Sequence, residues 1–188
     1  MDHSPPAEEA LMQAIGLYAF SLVGQLLPAT RLFGFKRWLL RLAGAKVGNN
    51  VRCASSARFQ LTGPLQIGAD TWIGHEVLVV GGDAPVEIGA CCDIAPRVLI
   101  ATGTHQIAPH AAHVAGKGYS LPIRIGDGCW IGAGAIILGG TTLGAHCIVA
   151  AGAVVRGQFP ERVLIGGVPA RVIKSIDALT SPSADAIE

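Results

Sequence analysis

Branched aliphatic residues recur at every sixth position through most of this chain. Counting forward from Ile125, steps of six land on Ile131, Ile137, Leu143, Val149 and Val155. Counting backward reaches Ile100, Ile94 and Ile88 and, after a short break, Val79, Ile73 and Ile67. The position after each aliphatic is usually Gly or Ala, as at Gly68, Gly74, Gly89, Gly126, Gly132 and Gly144. Four residues after ten of the twelve comes a small or β-branched residue, namely Thr71, Val77, Cys92, Val98, Thr104, Cys129, Ala135, Thr141, Cys147 and Ala153, while Asp83 and Phe159 break the rule. That residue stands two before the next aliphatic, so the pair shares one face of a short strand. The Gly or Ala that follows predicts a sharp turn at low steric cost. A period of six excludes an amphipathic helix, a heptad coil and an alternating hairpin sheet. Strand and corner alternate instead into a β-solenoid, whose rungs bury their apolar faces only by stacking.

The beat is interrupted twice. Nine residues separate Val79 from Ile88, and the extra ones read GGDAPVE. Twenty-five separate Ile100 from Ile125, which predicts a loop over 106–124 that opens directly after His105. A regular solenoid is inert scaffold, so chemistry is expected at its excursions. His105 follows the inward-pointing Thr104 and is expected to point outward at a rung edge; His75, His110, His113 and His146 are weaker candidates for a chemical role. Asp83 breaks the small-residue rule one rung below His105, where a carboxylate orients an imidazole, holds a ligand hydroxyl or simply forms a turn.

Ahead of the repeats, Ser4-Pro5-Pro6 before Glu8 and Glu9 reads as a helix start. No charge occurs over 10–30. Leu11, Ile15, Tyr18, Leu22 and Leu26 form one stripe of a helix expected to end at Pro28. The following RLFGFKRWLLRLAG is amphipathic and basic through Arg31, Lys36, Arg37 and Arg41. Three uses rank in this order: packing on the solenoid and the trimer, lying at a membrane interface, and spanning a membrane; the helices are also suited to cap the open end of the solenoid. The organisation expected is a helical segment over 1–46, the solenoid over 47–173 and a mobile tail over 174–188.

Composition narrows the partners. Fourteen Lys and Arg against thirteen Asp and Glu give a net charge of +1, which argues against a nucleic-acid binder. Charged residues make up 14% of the chain, well below a typical share of about 25%, so apolar surface must be covered by a regular core or by other subunits. The five cysteines form no Cys-x-x-Cys pair and no signal peptide is evident. Free thiols in the cytoplasm are the simplest reading, with the inner face of the membrane as a second station for the chain. Cys92, Cys129 and Cys147 fall on inward positions and are expected to be small core residues rather than nucleophiles.

The Ile-Gly-x-x-small-x repeat over residues 47–173 resembles the hexapeptide-repeat acyltransferases. The resemblance implies an all-β fold, a left-handed parallel β-helix with an N-terminal helical segment, assembled as a homotrimer. The segment IATGTHQI, with a loop ending in LPIRIGDGCWIGAGAII, resembles the galactoside and maltose acetyltransferase branch. That likeness makes His105 the general base, deprotonating an acceptor hydroxyl for attack on acetyl-CoA; imidazole suits the task because its pKa lies near working pH. It aligns Trp130 with the thioester end of the CoA channel, and Ala133 and Ala151, eighteen residues apart and hence stacked at one corner, with the pantetheine arm. Arg171 in GGVPARVI aligns with a basic residue near the nucleotide phosphates; Arg156 and Lys174 are helpers, while Gly157 replaces a lysine common in relatives. His75 and Asp83 align with acceptor-contacting residues, although the galactoside enzymes carry Asn where this chain has His75. No metal is expected. The R-x-x-L-L-R-L-x-G-A-K-x-G lead into the first coil is similar to surface-polysaccharide acetyltransferases, which directs the acceptor towards a polysaccharide precursor or lipid-linked sugar.

Three rival readings share the solenoid. A γ-type carbonic anhydrase would bind zinc through His75, His105 and His110. A non-catalytic scaffold would bind no acetyl-CoA. A third enzyme would take its acyl group from an acyl carrier protein. Hydroxyl and amine acceptors both remain open.

Overall fold

The computed structural model describes residues 7–178. The helix-start signal at Ser4-Pro5-Pro6 and the tail over 179–188 lie outside the described residues. Three parallel sheets form the sides of a prism. The first face stacks Lys46–Val47, Leu65–Ile67, Val86–Ile88, Ile123–Ile125, Thr142–Leu143 and Gln158–Phe159. The second stacks Arg52–Cys53, Trp72–Ile73, Asp93–Ile94, Trp130–Ile131, Ile148–Val149 and Val163–Gly167. The third stacks Arg58–Gln60, Leu78–Val80, Leu99–Ala101, Ile136–Leu138 and Val154–Val155. All twelve aliphatics of the six-residue beat point inward and are at most 3% exposed. Each such burial contributes about 1.5–3 kcal/mol, so the stack itself is the core.

The glycine after each aliphatic has a different purpose from the one expected. The left-handed backbone falls two residues later, at Asp70, Glu76, Cys91, Arg97, Gly128, Gly134, His146 and Gly152. A Cβ on Gly68 would lie 2.3 Å from Ala90 N, and one on Gly144 would lie 2.4 Å from Glu161 N. These positions are small because the backbone of the next coil passes directly over them. Thr71, Cys92, Cys129 and Cys147 form an inward column. Each donates its O–H or S–H one coil up, to the carbonyls of Gly89 (2.8 Å), Gly126 (3.2 Å), Gly144 (3.2 Å) and Pro160 (3.0 Å). This is the packing role expected of the cysteines.

Two helices cover the open end: α1, Ala7–Gly24, and α2, Phe33–Leu42. The first stops at Gly24, ahead of Pro28, and Gly24 lies against the Ser55 carbonyl with no room for a side chain. Its buried side is Leu17 and Phe20, the latter edge-on to Phe59 at 5.7 Å. The stripe Leu11–Ile15–Tyr18–Leu22–Leu26 faces outward. The basic residues of α2 complete the end coil. Within the stack, the carbonyls of Ile67, Thr71 and Ile73 accept from N–H groups of the coil below. Their counterparts Val47, Val51 and Cys53 have no coil below them. Arg41 Nε donates to Val47 O (2.8 Å), Arg37 Nη1 to Val51 O (3.1 Å) and Lys36 Nζ to Cys53 O (3.1 Å). Lys36 is fully buried, also bonds the Pro28 and Ala29 carbonyls, and has its pKa lowered by desolvation. Burial beside it pushes the Cys53 thiol up to about 12. Among the described residues, no helix is long and apolar enough to cross a membrane. At the far end, Ala170–Ser175 turns back antiparallel on Val163–Gly167.

Candidate active site

Two corners of the prism carry the candidate residues. At the corner from the third face to the first, the long excursion is not an irregular loop. It is an antiparallel hairpin of Gly103–Ile107 and Ala115–Ser120, closed at its root by Leu121 N donating to Thr102 O at 2.9 Å. The hairpin starts one residue after Thr102, which takes the buried position expected for Thr104. Thr104 is only half-buried and pairs with Tyr119.

His105 is exposed, as expected, and pairs with Gly118. A Cβ at Gly118 would lie 3.5 Å from His105 Nε2, so the glycine leaves that side of the imidazole uncovered. Ser120 pairs with Gly103, two positions along the same face, about 7 Å away at strand spacing. Its hydroxyl donates to Asp83 Oδ1 and accepts from Ala84 N (3.1 Å). Asp83 is exposed because the chain leaves the rung at Gly81. Sequence reasoning missed Ser120: it lies inside the excursion, where no repeat reports its place, and only the strand pairing reveals it. Beneath the hairpin root is a cavity of about 580 Å³ whose lining includes Asp83, Ser120, Pro122, Arg124, Glu87 and Lys46.

The corner from the second face to the third is a regular column of His75, Pro96, Ala133 and Ala151. Arg97 N donates to His75 O (2.8 Å), Gly134 N to Pro96 O (3.0 Å) and Gly152 N to Ala133 O (3.0 Å). Ala133 and Ala151 are exposed on stacked rungs, as their spacing predicts. Gly134 and Gly152 adopt φ of +68° and +69° and have no atom within 4 Å of a notional Cβ, so the backbone is open to an extended ligand. A shallow cleft of about 440 Å³ joins His75 to Ala133, beside the Glu76–Arg97 pair. The guanidinium holds the Glu76 carboxyl below its usual range. Trp130 is exposed on the second face between Asp93 and Ile148. Arg171, opposite Gly166, lies on the same side near the far end and donates to its neighbour's carbonyl, Ala170 O, at 2.8 Å.

Two expected groupings are split within one chain. His75 belongs to the alanine column and Asp83 to the hairpin corner, because six residues of solenoid turn one corner of the prism. Arg156 likewise follows Val155 on the third face, away from Arg171. Lys174, opposite Leu164, is on the second face with Arg171. His75, His105 and His110 are not brought together in one chain. Among the described residues, no three His, Cys, Asp or Glu side chains are grouped to hold a metal.

The bacterial transferase hexapeptide family (six repeats) matches residues 122–157. Galactoside O-acetyltransferase of Escherichia coli (strain K12) is 32% identical over 139 residues, 74% of this chain and 68% of that protein. A protein of the same strain designated colanic acid biosynthesis acetyltransferase WcaF is 32% identical over 144 residues, 76% of each chain. Among solved structures, a hexapeptide-repeat acetyltransferase of Vibrio cholerae O1 biovar eltor complexed with acetyl coenzyme A superposes with a TM-score of 0.74. It is 27% identical, over 90% of each chain. A galactoside acetyltransferase in complex with coenzyme A gives a TM-score of 0.71 at 27% identity, over 90% of this chain and 81% of that one.

Proposed function

Because the chain belongs to the hexapeptide-repeat acetyltransferases, it is an acyltransferase that uses acetyl-CoA, and we propose that it acetylates a sugar hydroxyl with His105 as general base at a trimer interface. His105 takes the proton from the acceptor hydroxyl, whose oxygen attacks the thioester carbonyl. The tetrahedral intermediate collapses with loss of the CoA thiolate, to which the imidazolium returns a proton. The products are a sugar ester and free CoA.

One observation carries this reading: the hairpin and the alanine column stand on different corners, so one chain alone cannot bring base and donor together. A threefold assembly that sets one chain's hairpin beside its neighbour's column supplies both to one cleft. It also reunites both split groupings, Asp83 of one chain with His75 of its neighbour and Arg156 with Arg171. The thioester then lies near Trp130, the pantetheine arm along Ala133 and Ala151, and the phosphates near Arg171. Asp83, fixed by Ser120, holds an acceptor hydroxyl in this reading. The E. coli relative designated for colanic acid biosynthesis supports a polysaccharide precursor as acceptor.

The test is thiol release from acetyl-CoA with a panel of free, nucleotide-linked, lipid-linked and amino sugars. His105→Ala should lower turnover by about 10²–10⁴ with the oligomeric mass unchanged. Mixing His105→Ala with an Ala151→Trp variant, each inactive alone, should restore part of the activity, because some interfaces regain two intact halves. Full activity in His105→Ala would refute the base, and failure of the mixture to recover would refute the shared cleft.

A further inference from the structure

The capped end of the prism is an apolar plate. Leu11, Met12, Ile15, Tyr18, Ala19 and Leu22 are exposed along the outer side of α1. On α2, Phe35, Trp38 and Leu42 are exposed, and the two aromatic rings stack at 5.7 Å. Of seventeen exposed large hydrophobics among the described residues, ten lie between Leu11 and Leu42. A helix apolar on both sides is normally covered on both sides, and the solenoid covers only one side of α1.

Charge identifies what covers the other. From Ala10 to Ala69 the chain holds seven of its fourteen Lys and Arg and none of its thirteen Asp and Glu. The first coil carries one exposed cation on each face of the prism, Lys46, Arg52 and Arg58, forming a ring behind the plate. Lys36, Arg37 and Arg41 donate to neutral carbonyls, so those bonds leave their charge uncompensated. Two such plates packed face to face would set like charges against each other. An anionic surface with an apolar interior matches both features.

We propose that this plate docks on an anionic phospholipid bilayer. The outer stripe of α1, with Phe35, Trp38 and Leu42, lies at the headgroup–acyl boundary, and the ring of cations faces the lipid phosphates. At a rung spacing of about 4.8 Å, the hairpin bearing His105 leaves the third coil about 10 Å above the first, within reach of a sugar carried on a lipid.

The full-length protein is co-sedimented with vesicles of phosphatidylcholine alone and with vesicles that also contain phosphatidylglycerol. Binding to the phosphatidylglycerol vesicles, weakened by added salt, is the expected result. Ile15→Ser with Leu22→Ser should lower partitioning by at least about tenfold. Arg52→Gln and Arg58→Gln should each lower it by about fivefold. Acetyl-CoA turnover on a water-soluble acceptor should stay unchanged in all of them. Three results overturn the proposal: protein left in the supernatant, equal binding to both vesicle types, or a serine variant whose oligomeric mass falls while its vesicle binding is unchanged. The last would show that a second copy covers the plate.

Discussion

The corner between the third and first faces and the corner between the second and third obey different rules. Successive inward apolar residues across the first are eight apart (Phe59 to Ile67), then nine (Val79 to Ile88), then twenty-five (Ile100 to Ile125), then six, then four (Val155 to Phe159). Across the second the spacing is six throughout, from Ile73 to Val79 up to Val149 to Val155. Every change of length in this solenoid therefore falls on one edge of the prism. The long excursion leaves there and returns to register, with Ile123, Arg124 and Ile125 opposite Val86, Glu87 and Ile88. One edge is free to grow, and it carries His105, Asp83 and Ser120. The other is held to small residues and exposes an even ladder of backbone, as a long flexible ligand arm requires.

The contrast can be broken most severely at the regular edge. Gly132→Val would push a Cβ to 2.6 Å from Ala151 N and 2.7 Å from Val149 O, both backbone atoms. A loss of at least about 3 kcal/mol is expected, read as a fall in Tm of about 6–12 °C. Gly103→Val, at the hairpin root with no atom within 4 Å of the added carbon, should shift Tm by no more than about 2 °C. Equal losses at both glycines would erase the distinction. Ala151→Leu is a subtler probe, because the side chain is exposed and stability should hold within about 0.5 kcal/mol. Its KM for acetyl-CoA should rise about tenfold or more while the acceptor KM stays put. The smallest effect is expected from Ser120→Ala, which frees Asp83 and Ala84 N. The acceptor KM should rise about fivefold, in line with a hydrogen bond of about 1 kcal/mol, with no change in the KM for acetyl-CoA.

Much of this was legible because the repeat is rigidly periodic. Stacking fixes the inward positions, so all twelve aliphatics and the Cys92–Cys129–Cys147 column could be assigned by counting, and so could the placing of Ala133 one rung below Ala151. Counting failed where periodicity stopped. Nothing in the local residues distinguishes Thr102 from Thr104 as the last inward side chain, since the departure point depends on where the hairpin begins to pair. His75 and Asp83 are close in sequence but separated by one face of the prism, a fact that needs the strand-to-face assignment. The core-facing side of α1 was not legible because that helix is apolar all round, so pattern alone cannot say which side meets the core. The roles of Lys36, Arg37 and Arg41 were hidden because their partners are backbone carbonyls, which no side-chain pattern records.

Those three cations also close one end of the stack. A chain beginning at Val47 would present a bare row of acceptors, shaped to receive the edge of another prism as though it were the next turn of the same one. Such head-to-tail joining has no geometric end point and grows into filaments. The leading helices thus serve as a terminator, keeping a self-complementary architecture from polymerising through the contacts that hold it together.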